Sequence, residues 1–345
     1  MIRRRDLLAR FSLFGALGGP RIARASPGSP LILSIDGPLI VTGDLARQRD
    51  LFEGVLGLGL VADQELGATA VKDLFGVAAR AARTVLLHTR GTAVGVRLVE
   101  FRHSSSLGVR EGARPTDADA LKVVDFVVPD LGKATAALAA RGFRLAAPPA
   151  SYSTPEDGRL TEGHVEGPDG VVCGLLQMHN TPPAKYVKVT DQTFSEVLGV
   201  SAPVSDRDSA LAFYRETLKL PTVLSYEIAN ESFQKLLRSR EKIFLRGANF
   251  GIGARAPMIG VIHYGLPPHS FRSLRQRAVL PHRGLQALRF SVPSVDAVAG
   301  VAAAANLEVV AGPAETLLFP QGRIRSILIR APHGVLHHFT ETVKA

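Results

Sequence analysis

The chain has 345 residues, of which 46% are hydrophobic, and a formal net charge of +10. That is enough length and apolar content for two or three domains with real cores, and no run of eighteen or more uninterrupted apolar residues marks a membrane span, so the chain is not expected to be membrane-embedded. A single cysteine, Cys173, excludes an internal disulfide and a cysteine-built zinc site, and it is expected to pack as a small buried apolar residue.

The first stretch, MIRRRDLLARFSLFGALGGPRIARAS, has a basic start, a short and weakly apolar middle, and Ala23-Arg24-Ala25 ahead of Ser26. That is the pattern of an export signal over residues 1–25, cleaved after Ala25. Arg4-Arg5-Asp6-Leu7-Leu8 resembles a twin-arginine signal, which implies export of the folded protein and a periplasmic or secreted location. These residues hold six arginines and one aspartate, so their removal takes the net charge to about +5. The remainder has no block of basic residues and no tryptophan, and no nucleic-acid partner is expected.

From Pro38, PLIVTGDLARQRDLFEGVLGLGLV reads as an apolar strand, a turn at Asp44, a helix, and a stop at Gly57. Three strand-like runs follow: LGLVADQEL, RTVLLHTRG and AVGVRLVEFR. From Val123 the phrase recurs as VVDFVVPDLGKATAALAARGFRLA, with Asp130 and Gly142 in the same roles, followed by FRLAAPPAS, GRLTEGHVEG and GVVCGLLQM. MHNTPPAKYVKVTDQ, residues 178–192, is polar and proline-bearing and reads as a domain boundary. The third copy, GVSAPVSDRDSALAFYRETLKLPTV from Gly199, turns at Asp206 and puts Lys219 at the helix stop; TVLSYEI, KIFLRG and MIGVIHYG follow. The fourth, GLQALRFSVPSVDAVAGVAAAANLEVV from Gly284, turns at Ser294, stops at Asn306, and closes with LEVVAGPAE, RIRSILIRA and GVLHHFTE. Aspartate or serine at each turn suits an N-cap, and glycine or asparagine at the stop suits a left-handed C-terminal cap. The repeat is therefore strand–helix–strand–strand–strand, four times over.

The βαβββ unit, the Phe213–Leu220 helix end and the GPDG and APHG turns before the last strands together resemble the vicinal oxygen chelate superfamily, which includes glyoxalase I, bleomycin-resistance proteins and extradiol dioxygenases. The resemblance implies an α+β fold in which four modules pair into two vicinal oxygen chelate domains with cup-shaped mixed sheets. Taken in chain order, residues 31–180 would form the N-terminal domain and 190–345 the C-terminal one.

The resemblance also implies a divalent metal, iron, manganese or zinc, at the base of each cup. Its ligands would come from a first-strand position seven before the turn residue and from the last strand. The first-strand positions here are Gly37, Val123, Gly199 and Ala287, none of which can ligate; GLQALRFSV looks like the family's GLQH strand with alanine in place of histidine. On the last strands Glu100 matches the acidic ligand, Gly174 does not, and His263 and His338 fall at or beside the slot, where they would face each other across the second cup. The expectation is that no metal or other cofactor is bound, with a noncanonical metal centre on Glu100, His263 or His338 as a further reading. Glu100, His263 and His338 are the candidate catalytic residues; His88, Phe101 and Tyr264 are candidate binding residues. His263 and Tyr264 should point to opposite faces, as should His337 and His338. His103, His164, His179 and His282 adjoin loops, and most of them are expected in solvent.

Two functions compete. One is an exported enzyme of lyase or isomerase type that acts on a small aromatic or apolar molecule, using a carboxylate whose proton affinity is raised in a semi-apolar cup. The other is a sequestering protein of the bleomycin-resistance kind. A divergent metal-dependent dioxygenase is the third reading, and a homodimer is left open.

Overall fold

The computed structural model describes residues 30–103, 105–154 and 156–344. The export signal expected at residues 1–25 lies outside them. The first module comprises β1 (Ser34–Val41), α1 (Leu45–Arg49, which widens into a π turn over Asp50–Val55), β2 (Leu58–Gly67), α2 (Ala68–Phe75), β3 (Ala81–Thr89) and β4 (Gly95–Phe101). The second comprises β5 (Val123–Val127), α3 (Leu131–Ala140), β6 (Ala150–Thr154), β7 (Gly158–Glu166) and β8 (Val172–Met178). The third comprises β9 (Val197–Pro203), α4 (Arg207–Ala212, with its own π turn over Phe213–Thr217), β10 (Thr222–Ile228), α5 (Glu231–Leu236), β11 (Leu245–Phe250) and β12 (Met258–His263). The fourth comprises β13 (Gly284–Ser291), α6 (Val295–Ala304), β14 (Glu308–Leu318), β15 (Gly322–Arg330) and β16 (Leu336–Thr342).

The helix boundaries follow from local chemistry. Asp44, Asp130, Asp206 and Ser294 each accept a hydrogen bond from the backbone N–H three residues on, which satisfies a free donor of the first helical turn. Gly57, Gly142 and Asn306 take positive φ past the helix ends, and so does Lys219, at +57°, despite its side chain. Helices α2 and α5 interrupt only the odd modules, after the second strand, and no repeat signal announces them.

Two eight-stranded mixed sheets result. One runs β14-β15-β16-β13-β1-β4-β3-β2 and the other β10-β11-β12-β9-β5-β8-β7-β6. The first module therefore pairs with the fourth, through antiparallel β1 and β13, and the second with the third, through antiparallel β5 and β9. This corrects the expectation of pairing in chain order: residues 31–180 and 190–345 each contribute half of both cups. The 178–192 stretch joins two halves of one sheet rather than separating domains. The crossings between sheets run instead through residues 102–122 and 264–283, which are clamped together. There Asp117, wholly buried, accepts from the backbone and side chain of both Arg114 and Arg272, and the two segments form bridges at Gly108–Arg283 and Ala118–Ser273.

Side chains alternate across each strand, so one face packs into the shared core and the other lines a cup. The core gathers Val124, Phe126, Val200, Ala202, Leu288 and Phe290 with helices from all four modules. Cys173 is buried there, as expected.

Candidate functional site

The two cups differ. In the first, α2 lies across the mouth: Val71, Leu74 and Phe75 pack with Leu39, Val41, Phe101, Ala287 and Leu336. Phe75 meets Phe101 edge-on at 5.6 Å and His338 at 6.1 Å. Below them two buried arginines fold onto backbone carbonyls, Arg97 onto Phe319 and Arg289 onto Asp36 and Gly95. Backbone fills the family's first-strand position as well. Gly37 has φ +104°, and a Cβ there would stand 2.1 Å from the Gly95 carbonyl oxygen. His338 is 1% exposed with neither ring nitrogen hydrogen-bonded, and burial, helped by the two arginines, lowers its pKa to about 3. His88 sits half-buried nearby, lowered to about 4 by burial and by Arg289 and Arg97. This cup is packed with protein.

The second cup holds a cavity of about 120 Å³ that opens at its mouth. Its walls are largely apolar, from Leu160, Leu176, Met258 and Ile262 to Phe233 of α5, which borders it from above. Into it project Lys122, Asp125, Glu162 and His164, with three tyrosines, Tyr152, Tyr226 and Tyr264. Asp125 stands on β5 between the core-facing Val124 and Phe126, and its Oδ2 accepts from Ser201 Oγ on β9 at 2.9 Å. The space for that carboxylate comes from β8, where a Cβ on Gly174 would lie 2.1 Å from Asp125 Oδ1. Burial and the neighbouring Glu162 anion raise the Asp125 pKa to about 7.

Glu162 and His164 project from alternate positions of β7, 2.8 Å apart, and Tyr152 donates to the other Glu162 oxygen at 2.7 Å. Burial pushes Glu162 up, but the hydrogen bonds from His164 and Tyr152 outweigh it and hold its pKa below the usual value. Burial lowers the His164 pKa, against the pull of Glu162. The pair is thus a carboxylate accepting from a neutral imidazole whose Nε2 carries the proton. Lys122, just ahead of β5, reaches Tyr264 Oη at 3.2 Å, and burial followed by the Arg110 cation lowers its pKa to about 7.

Most of the residues that the sequence nominates stand elsewhere. Glu100 is not in a cup: its Oε1 accepts from the Leu45 N–H at the start of α1, 3.2 Å away on the helix side of the sheet. Gln177 and Glu341 do the same for α3 and α6. His263 occupies the equivalent place in the third module, since Ile262 pairs with Pro203 as Val99 pairs with Val41. Glu100 and His263 are therefore helix-facing, because a one-residue displacement along a strand exchanges its faces. His338 does face a cup, but the filled one, in the other sheet from His263, so the two cannot meet. Phe101 is core of that same cup. Tyr264 alone among the candidates lines the open cavity. His164, one of the loop-adjoining histidines, is buried at the centre of the polar cluster.

The second cup does not fit the metal that the fold family implies. Val123 and Gly199 hold the first-strand positions, and Glu162 and His164 satisfy each other. Among the described residues no three histidine, cysteine, aspartate or glutamate side chains are grouped to hold an ion. No helix among them is long and apolar enough to cross a membrane.

No family model matches the chain, and no curated protein does. Solved structures match over nearly its whole length. It is similar to glyoxalase I from Zea mays, with a TM-score of 0.59 and 12% identity over 90% of this chain and 92% of that one. It is also similar to a proposed dioxygenase from Bacillus subtilis, with a TM-score of 0.58 and 12% identity over 92% of this chain and 87% of that one. At these identities the likeness is one of fold, the paired βαβββ cups of the vicinal oxygen chelate type.

Proposed function

We propose that the chain is an exported enzyme that binds a small, apolar or aromatic molecule in the second cup and moves protons on it, in lyase or isomerase chemistry that uses no resident metal. The observation that carries this reading is the convergence of Lys122, Asp125, Glu162 and His164 on the walls of an otherwise apolar cavity, while the matching cup is filled with side chains. Burying unpaired charge lowers stability, and a cup used only for storage needs none of it.

Asp125 is suited to take and return a proton, since a group with a pKa near the working pH has both forms available. Ser201 fixes its orientation, and Gly174 leaves it room. Glu162 stays ionised under its hydrogen bonds from His164 and Tyr152, and stabilises positive charge developing in the cavity. The arginine-rich stretch at residues 1–25 supports a location outside the cytoplasm.

A thermal-shift screen of aromatic and dicarbonyl compounds finds ligands, because a ligand that binds only the folded form raises the melting temperature. Asp125→Asn is then expected to keep ligand binding and lose turnover. Retained turnover would refute the role of Asp125, and binding without turnover of any ligand by the unaltered chain would favour sequestration. One stoichiometric metal ion per gently purified chain would contradict the metal-free reading.

A further inference from the structure

Lys122 has no part in the proton transfers above, yet it is the most anomalous group in the cavity. It is 3% exposed, and among the described residues no carboxylate forms an ion pair with it. Lysines are almost never so buried unless paired. Its backbone N–H is held by the Ser201 carbonyl and its Nζ by Tyr264 Oη, so the amine is fixed at the cavity wall. The charged groups that act on it are Arg110 and Arg238, which disfavour its protonation, and Glu162 and Asp125, which favour it. Burial outweighs them all, and near neutrality about half of the amine carries a free lone pair. The walls around it are Tyr152, Tyr226, Phe233, Leu160 and Ile262, which suit a flat apolar ring.

Building on the second cup as the working site, we propose that Lys122 is a nucleophile that forms an imine with an aromatic aldehyde or ketone bound there. The Nζ lone pair attacks the carbonyl carbon, the C=O π pair moves to oxygen, and the proton shed by nitrogen passes to that oxygen by way of the Tyr264 hydroxyl. Protonated Asp125 then gives its proton to the departing hydroxyl, water leaves, and the nitrogen lone pair closes the C=N bond as a protonated imine. Where the substrate bears a hydrogen on the adjacent carbon, the Asp125 carboxylate takes that proton and the C–H electron pair passes into the imine, giving an enamine. Reprotonation at carbon and addition of water return product and the free amine. Depressed proton affinity is what such a lysine needs.

The test uses the purified chain with benzaldehyde, which has no adjacent C–H and stops at the imine, followed by borohydride reduction at pH 7 and peptide mass spectrometry. The expected adduct is on Lys122 and carries the aldehyde's mass less one oxygen atom. At pH 7 a freely solvated lysine side chain is uncharged in only about one molecule in 3,000, so labelling should favour Lys122 by on the order of a hundredfold or more. The labelling rate should be half-maximal near the Lys122 pKa of about 7. Lys122→Met should lose the adduct, and Tyr264→Phe, which keeps the amine and the fold, should slow labelling about tenfold without abolishing benzaldehyde binding. Adducts spread over exposed lysines without preference, or equal labelling of Lys122→Met, would overturn the imine. If benzaldehyde raises the melting temperature of the parent and of Lys122→Met alike while nothing is trapped at Lys122, the imine fails and the cup reading stands; if benzaldehyde gives neither a shift nor an adduct, both fail.

Discussion

Replacing Lys122 with methionine should make the protein more stable while removing its reactive amine. Lysine in an unfolded chain holds its proton up to about pH 10.5, whereas Lys122 in the fold gives it up near pH 7. At neutral pH and below, the fold therefore carries a burden of up to about 5 kcal/mol from this one side chain. Methionine has similar length and no charge to desolvate; against it stands the lost Tyr264 hydrogen bond, worth about 1–2 kcal/mol. The net expectation is a variant more stable by about 3 kcal/mol at pH 6 to 7. Because the unfolded state binds the extra proton between pH 7 and about 10.5, the parent's stability should rise through that window and the variant's advantage should shrink, whereas below pH 7 the gap should stay flat. Urea denaturation between pH 6 and 9.5 measures this through the midpoint and slope. A variant less stable than the parent at pH 7, or a gap independent of pH, would refute the reasoning that Lys122 is strained by burial for function.

Asp125→Asn should act on the acid side. The folded pKa of about 7 lies above the unfolded value, so the parent loses stability as pH rises from about 4 to 7, and the asparagine variant, followed by the same denaturation series, should not. Gly174→Ala would put a methyl group 2.1 Å from Asp125 Oδ1 and 2.8 Å from Val123 Cγ1; about 2 kcal/mol of stability and most turnover should be lost, by urea midpoint and assay. Asp117→Ala removes the buried acceptor shared by Arg114 and Arg272 and should destabilise by about 3 kcal/mol in the same denaturation measurement. Lys219→Gly relieves a left-handed backbone at an exposed helix end and should stabilise by about 1 kcal/mol, read as a rise in melting temperature.

The repeat was legible in the sequence because its punctuation is local. Asp44, Asp130, Asp206 and Ser294 cap the helices they announce, and the strand runs between them alternate or stay apolar as sheets require. Pairing of modules was not legible. Each first strand buries apolar side chains on one face and meets its partner through backbone hydrogen bonds, so nothing in β1 itself selects β13 over β5. The inserted helices α2 and α5 are six to eight residues long, too short for a strong period, yet α2 decides which cup is filled.

Register accounts for part of the miss, and the rest arises because the cavity's polar side chains stand on or beside β5 and β7 rather than on the last strands. Carrying family positions onto the last strands selected Glu100 and His263, which cap or face helices, where the adjacent residues face the cups. A different signal was present: a lone carboxylate inside the apolar run VVDFVV, a lysine just before it, and polar residues at alternate positions in LTEGHVEG. Strand periodicity puts Glu162 and His164 on one face, and the apolar residues around Asp125 leave that carboxylate no role in the core. Which of four modules would gather such residues into one cavity depended on long-range pairing.

A crystal structure of the chain grown with benzaldehyde tests the central claim most directly. The ring is expected in the second cup, against Tyr152 and Phe233, with its carbonyl carbon within bonding reach of Lys122 Nζ. A ring displacing Phe75 in the first cup, or a cation bound among the side chains of the second, would contradict it.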